Sequence, residues 1–138
     1  MYGVLDISTS GMIAQRTRMA VISANIANAN TILDSQGNAN PYKKRIVHFE
    51  PGDPSSSDPA GRSMGVHVSE IGRDEHAVRY QYEPGNPYAN KDGYVAYPDI
   101  SPEIEQINAM TAARAYEANV VAAETTKTMM AQALRLIA

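Results

Sequence analysis

The residues whose types most readily do chemistry are His48, His67 and His76, the serine run Ser55, Ser56 and Ser57, and the acidic side chains Asp6, Glu103 and Glu105. A metal centre needs ligands at short, fixed spacings, and the three histidines lack them; His48 and His67 also fall where strands are expected, on a face turned to solvent or a neighbouring loop. A serine nucleophile needs a strand-turn-helix context to expose it, and the serine run sits in a stretch of Pro, Gly and Asp instead. The carboxylates stand at or near expected helix starts, where the positive end of the helix dipole explains them as capping residues. Scattered glycines form no phosphate-cradling loop, and the absence of cysteine excludes thiolate ligands, thiol nucleophiles and disulfides. The chain therefore reads as a non-enzyme without cofactor or metal. What remains chemically unusual is a set of amides: "SANIANANT", residues 23–31, places Asn25, Asn28 and Asn30 within and just after an apolar helical pattern. Asparagine competes for nearby backbone groups and is a mediocre helix former, so its presence needs an offsetting gain.

The elements that must position these amides lie at the two ends of the chain. Steps of three or four residues from Leu5 pass through Ser8, Met12, Gln15, Met19, Ile22, Ile26 and Ala29, a mostly apolar seam. From Ala109 the same walk passes through Ala113, Tyr116, Val120, Ala123, Lys127, Met130, Leu134 and Ile137, with Lys127 as its only polar member. Ser101 can accept a bond from first-turn amides and Pro102 stands where a missing N–H is harmless, so a helix is expected to start there. Such a helix would run for roughly 54 Å at about 1.5 Å per residue, awkwardly long for a compact domain of this size. Two readings follow: core helices of a small bundle, or a long terminal coiled coil. The fold class expected is mainly α, with long N- and C-terminal helices (1–31 and 101–138) pairing as a coiled coil around a middle segment (32–100) of loop, small β-hairpin and extended arm.

In that middle segment Val66 and Val68 share a face, while Val78, Tyr80 and Tyr82 alternate with Arg79 and Gln81. A hairpin of residues 65–71 with 78–82 across 72–76 is expected, and residues 46–49 add a further strand. Residues 50–65 read as a mobile surface loop and 82–99 as an ordered extended arm in which Pro84, Pro87 and Pro98 forbid helix. With 12 basic and 15 acidic residues the net charge is −3, which offers no footprint for nucleic acid or anionic lipid. The chain shows no membrane-spanning run and no cleavable secretion signal at its N-terminus. A hydrophobic content of 43% suits a folded chain, yet the middle is too broken to bury a large core. The terminal helices are accordingly expected to be largely mobile until a partner covers their seams.

Each asparagine amide can bond backbone groups of a neighbouring helix or of the strand that follows. Asn25, Asn28 and, on the second helix, Asn119 are expected to set helix register or anchor the connecting arms. The alternative for Asn28 and Asn30 is that they end the first helix, where asparagine tolerates left-handed geometry. Tyr116 is a core-type position; Met130, like Met129, offers adaptable packing.

"SANIANANT" resembles the alanine-asparagine motif of the flagellar rod and hook axial protein family. "PYKKR" (41–45), "YEPGNP" (82–87), "DGYV" (92–95) and "ARAYEANV" (113–120) resemble signatures of its proximal-rod members, in the same order along nearly the whole chain. The resemblance implies a structural subunit of the proximal rod of the bacterial flagellar basal body, assembling helically and transmitting motor torque. It implies export through the flagellar type III apparatus without a cleaved signal, and residence in the periplasmic rod. The partners implied are other copies of the chain, neighbouring proximal- and distal-rod proteins, the rod–MS-ring adapter and the MS ring. Helix residues Asn25, Ile26, Asn28, Tyr116, Asn119, Val120, Met130 and Leu134 would then pack the assembly, while Tyr82, Pro84, Gly85, Pro87, Gly93 and Tyr94 would make arm contacts. A secreted or periplasmic coiled-coil adapter binding one partner is the alternative.

Overall fold

A computed structural model describes residues 2–52 and 64–137. Helix α1 (Tyr2–Ala27) is followed by strands β1 (Arg45–Pro51), β2 (Val66–Arg73), β3 (Val78–Tyr82) and β4 (Tyr94–Pro98), and the chain closes on helix α2 (Pro102–Ile137). The long helices pack on each other and the strands form two separate antiparallel ribbons, β1–β2 and β3–β4. The molecule is thus mainly α, with two terminal helices paired. The expected mobile loop lies for the most part in 53–63, outside the described residues.

Helix α2 starts as its sequence dictates. Ser101 Oγ accepts from the Ile104 N–H at 3.4 Å, and the Glu105 N–H bonds the Ser101 carbonyl at 3.0 Å. Ser101 also donates to Glu103 at 2.8 Å; the Glu103 carboxyl is held below its usual value, first by its own backbone N–H and then by this hydroxyl. Alanine-rich sequence favours the helix thereafter, and Thr111, Thr125, Thr126 and Thr128 return their hydroxyls to carbonyls four residues back. Helix α1 ends through a turn in which Ala29 bonds Ile26 and Thr31 bonds Asn28. No non-glycine residue among those described has positive φ, so the asparagines close this helix without the left-handed geometry expected of them.

The inner rows of the helices overlap the expected seams and add residues beside them. On α1 one buried or half-buried row runs through Ser8, Gly11, Gln15, Arg18, Ile22, Asn25 and Ala29. The expected row of Leu5, Ser8, Met12, Gln15, Met19, Ile22, Ile26 and Ala29 is itself buried or half-buried throughout, while Gly11 and Asn25 beside it meet Asn119 and Glu105 of α2. On α2 it runs through Glu105, Ala109, Ala112, Tyr116, Asn119, Ala123, Thr126, Met130 and Ala133, while Lys127 and Leu134 face outward. The periodicity of the apolar residues was legible; it did not announce that Gly11, Ala109 and Ala112 are the short side chains that let the two helices approach closely. Ala14 and Ala112 are 1% and 0% exposed, and half of the fully buried apolar side chains among the described residues are alanine.

The ribbons correct the expected hairpin. β2 does not fold back onto β3; it pairs with β1, from Arg45 opposite Arg73 to Pro51 opposite Val66, with a bulge at Ser69. β3 pairs instead with β4, a strand concealed in the expected extended arm. The reason lies in the connector between β2 and β3. Asp74 gives its N–H to Lys44 at 2.8 Å, extending the first ladder, and its carboxylate accepts from the His76 N–H at 3.0 Å, turning the chain away; the Ala77 carbonyl then accepts from Asp99 beyond β4. An isolated two-stranded ribbon is marginal, and β1–β2 leans on α1, where Ser10 Oγ accepts from the Val66 N–H at 3.1 Å. Gly65, at φ +85°, allows that approach, since a Cβ there would stand 2.7 Å from Ser10 Oγ.

Candidate functional site

Among the described residues the most densely connected polar group is the side chain of Asn25, 1% exposed and two residues before the end of α1. Its Nδ2 donates to the Arg45 carbonyl at 2.9 Å and to Glu105 Oε2 at 3.1 Å; its Oδ1 accepts from the Arg45 N–H at 3.0 Å and from the Tyr42 hydroxyl at 3.3 Å. Two donors and two acceptor positions are all that an amide has, and every one is used. Toward Arg45 it behaves as a neighbouring strand would, reading N–H and C=O together. The amide thus joins α1, α2 and the start of β1 at one point.

Glu105, on the first full turn of α2, is 2% exposed. Its Oε1 takes a salt bridge from Lys44 Nζ at 3.0 Å, the lysine remaining partly open to solvent, and a bond from Asn108 Nδ2 at 3.4 Å. A carboxylate taken out of water costs several kcal/mol, roughly, unless a cation and hydrogen bonds compensate it, and Glu105 has both. Its capping role was therefore misread: Ser101 and Glu103 serve the helix start, and Glu105 turns inward. The Arg45 guanidinium lies over the Tyr42 ring at 5.7 Å, closing the outer side of the junction.

A second close contact lies farther along the helices. A Cβ placed on Gly11 would stand 2.6 Å from Asn119 Oδ1, so the glycine forms a notch that the amide fills. Asn119 Nδ2 is tied to its own helix through the Ala115 carbonyl at 2.8 Å. Asn28 stays local as well: its Nδ2 bonds the Ala24 carbonyl at 2.8 Å and its Oδ1 accepts from Thr31 at 3.2 Å, so it shapes the turn after α1 and touches no second helix through hydrogen bonds. Ile26, Tyr116, Val120 and Met130 are half-buried, whereas Leu134 is 69% exposed.

The six arm residues gather at the far end of the β3–β4 ribbon. Tyr82 and Tyr94 face each other edge to face at 5.3 Å, and Gly93, at φ +82°, passes under the Tyr82 ring, where a Cβ would come within 2.9 Å. Pro84, Gly85 and Pro87 are exposed in the connecting tip. Glu83 pins that tip by accepting from Asn86 at 2.9 Å and Tyr97 at 3.2 Å; burial first, and then Glu83, push the Tyr97 phenol above its ordinary value.

Among the described residues no three His, Asp or Glu side chains converge as a metal site would require, and no helix is long and apolar enough to cross a membrane. The junction's chemistry is mechanical: an amide and a compensated carboxylate hold two helices and a strand in one relative position. Sequence reading found Asn25 and Asn119 but missed Gly11, Tyr42, Lys44 and Glu105. The signal available for Glu105 was its place on the row of Ala109 and Ala112, a charge on an otherwise small, buried face.

Comparison with known proteins meets this geometry at both helices. The family model described as "Flagella basal body rod protein" matches residues 5–32, which hold most of α1 with Gly11 and Asn25; that described as "Flagellar basal body rod FlgEFG protein C-terminal" matches 91–136, which hold β4, Glu105 and Asn119. The flagellar basal-body rod protein FlgC of Bacillus subtilis is 36% identical over 96% of this chain and 95% of its own length. Those of Escherichia coli O6:H1 and Salmonella typhimurium are 35% and 34% identical with the same coverage. With identity of this order over 96% of its length, the chain belongs to the FlgC family of flagellar basal-body rod proteins.

Proposed function

We propose that this chain is a structural subunit of the proximal rod of the bacterial flagellar basal body. In this reading α1 and α2 form part of the inner tube wall and pack against other copies and neighbouring axial proteins. The two ribbons reach outward to adjacent subunits, and the assembled rod transmits motor torque. The chain travels through the flagellar type III apparatus to the periplasmic rod, where the rod–MS-ring adapter and the MS ring lie at one end and distal-rod proteins beyond the other.

One observation carries the reading. Asn25 meets Glu105 and Gly11 meets Asn119, so the helices run antiparallel with facing residue numbers summing to 130. Tyr2 then faces Thr128, and residues 129–137 have no described α1 residue opposite them. That stretch spans about 14 Å of helix and carries Met129, Leu134, Leu136 and Ile137 at 63%, 69%, 89% and 84% exposure. A contact between such an end and a different face of the next copy is heterologous, and heterologous contacts that do not close build a helical array.

The test is mass spectrometry of detergent-washed basal bodies from cells in which this chain carries a photo-crosslinking residue at position 134 or 116. Recovery in the rod with adducts to axial subunits is the expected result. Recovery only as a discrete soluble complex with one partner would favour the coiled-coil adapter and end the rod proposal.

A further inference from the structure

The two points at which α1 and α2 interlock stand in a common frame. Asn25 and Gly11 are separated by two heptads on α1, and Glu105 and Asn119 by the same two heptads on α2. Between them the inner row of α2 is Ala109, Ala112 and the half-buried Tyr116, so the tyrosine is its one large side chain and the alanines give little relief to tell one register from the next. We infer that Asn25–Glu105 and Gly11–Asn119 are paired register pins that hold the helices against one-heptad sliding and thereby set how far α2 projects beyond α1.

The alternatives show why two pins suffice. A slip by one heptad in one direction places Asn25 opposite Ala112 and Gly11 opposite Thr126; a slip in the other places Asn25 opposite Pro98, before α2 begins, and Asn119 opposite Val4. Neither slipped pairing returns a carboxylate to the Asn25 amide or a glycine to the Asn119 side chain. Each would leave the Asn25 amide, otherwise fully bonded, without its helix partner, and would press Asn119 against a Cβ. Apolar seams accept a heptad slip at small cost, whereas a buried polar group accepts only the register that bonds it. The slip would move the helix ends by about 10 Å, taking the part of α2 with no described α1 residue opposite it from nine residues to two or to sixteen, by counting seven residues off or on. The same Asn25 amide holds the Arg45 backbone, so the register of the helices and the seating of the β1–β2 ribbon are set together.

The chain has no cysteine, which makes thiol crosslinking a clean reporter. Ala115→Cys is combined with Gln15→Cys, Ile22→Cys or Ser8→Cys, pairs that face each other in the observed register and in the two slipped ones, and a short thiol-specific crosslinker is applied to the soluble chain. With the pins intact, the Gln15 pair is expected to crosslink at least tenfold more than either other pair. In the background Asn25→Leu, Glu105→Leu, Asn119→Ala, a slipped pair should rise to within about twofold of it with helix content unchanged by circular dichroism. A folded pinless chain that still crosslinks through the Gln15 pair alone overturns the inference.

Should that background fail to fold, the notch is tested separately. Gly11→Ala is expected to lower crosslinking of the Gln15 pair severalfold, and adding Asn119→Ala should restore it, since the smaller partner then admits the methyl. Unchanged crosslinking in Gly11→Ala, or no rescue in the double variant, overturns the inference. All readouts are made on the unassembled chain, so they stand apart from the outcome of the basal-body experiment.

Discussion

At the scale of the residue, Asn25 resolves the cost of an asparagine in a helix: four hydrogen bonds replace the local ones it gives up. Asn25→Ala would leave the Arg45 amide and the Glu105 carboxylate short of partners in a buried place. It should lower unfolding stability by about 2–3 kcal/mol, read from the urea midpoint at constant m. Asn25→Asp should cost more than Asn25→Ala, because it removes the donor and sets a second carboxylate beside Glu105. A different residue gives a pH signature. Asp34 accepts backbone N–H bonds from Asn38 and Gln36, each at 2.9 Å, and the Asn38 bond is the largest cause holding its carboxyl below the ordinary 3.8. A lowered folded value means that Asp34 contributes fully above the unfolded value and loses its contribution as pH falls through the folded one. A carboxyl NMR titration should place its midpoint below 3.8, and Asp34→Asn should flatten that part of the acid limb.

At the scale of the element, the β3–β4 tip and the end of α2 respond in opposite ways to substitution. Gly93→Ala introduces a Cβ at positive φ directly under the Tyr82 ring. It should destabilise the ribbon by about 1–2 kcal/mol, visible as faster amide exchange of the β3–β4 ladder while the helices stay unaffected. Leu136→Ser lies at 89% exposure with nothing described opposite it. The unfolding free energy of the monomer should change by less than about 0.5 kcal/mol, whereas incorporation into basal bodies should fall, measured as the FlgC-family subunit recovered per rod. These elements also show where sequence reading reached its limit. Both ribbons are made of strands with ordinary alternating sequence, but pairing was decided by one connector, Asp74 to Ala77, whose bonds run to Lys44 on one side and Asp99 on the other. Local pattern announces a strand and leaves its partner open.

At the scale of the whole molecule, the single chain is rich in helix and poor in core. The buried apolar side chains described include four alanines beside Val21, Ile22, Val95 and Ile100, while Ile104, Ile107, Met110 and Val121 on α2 remain more than half exposed. A chain so constructed draws much of its final stability from what it assembles with. Native-state hydrogen exchange should find weaker protection of α1 and α2 in the dilute monomer than in the rod, with slowing by at least about a hundredfold on incorporation. Protection of both helices in the monomer equal to that in the rod would show that the pair is self-sufficient.

The sequence by itself determined the two terminal helices, the Ser101–Pro102 start of α2, the strand character of residues in all but β4, and, through its asparagine and tyrosine-proline motifs, the axial family. These are properties of spacing and local chemistry, which a few neighbouring residues decide. Tertiary structure alone decided at which residues the two helices touch, that Glu105 is buried beside Lys44, and that β2 and β3 belong to different ribbons. Those outcomes depend on residues 80 positions apart in the chain, Asn25 and Glu105 among them, meeting at a distance set by the smallest side chains between them. Periodicity along one helix carries no information about that distance.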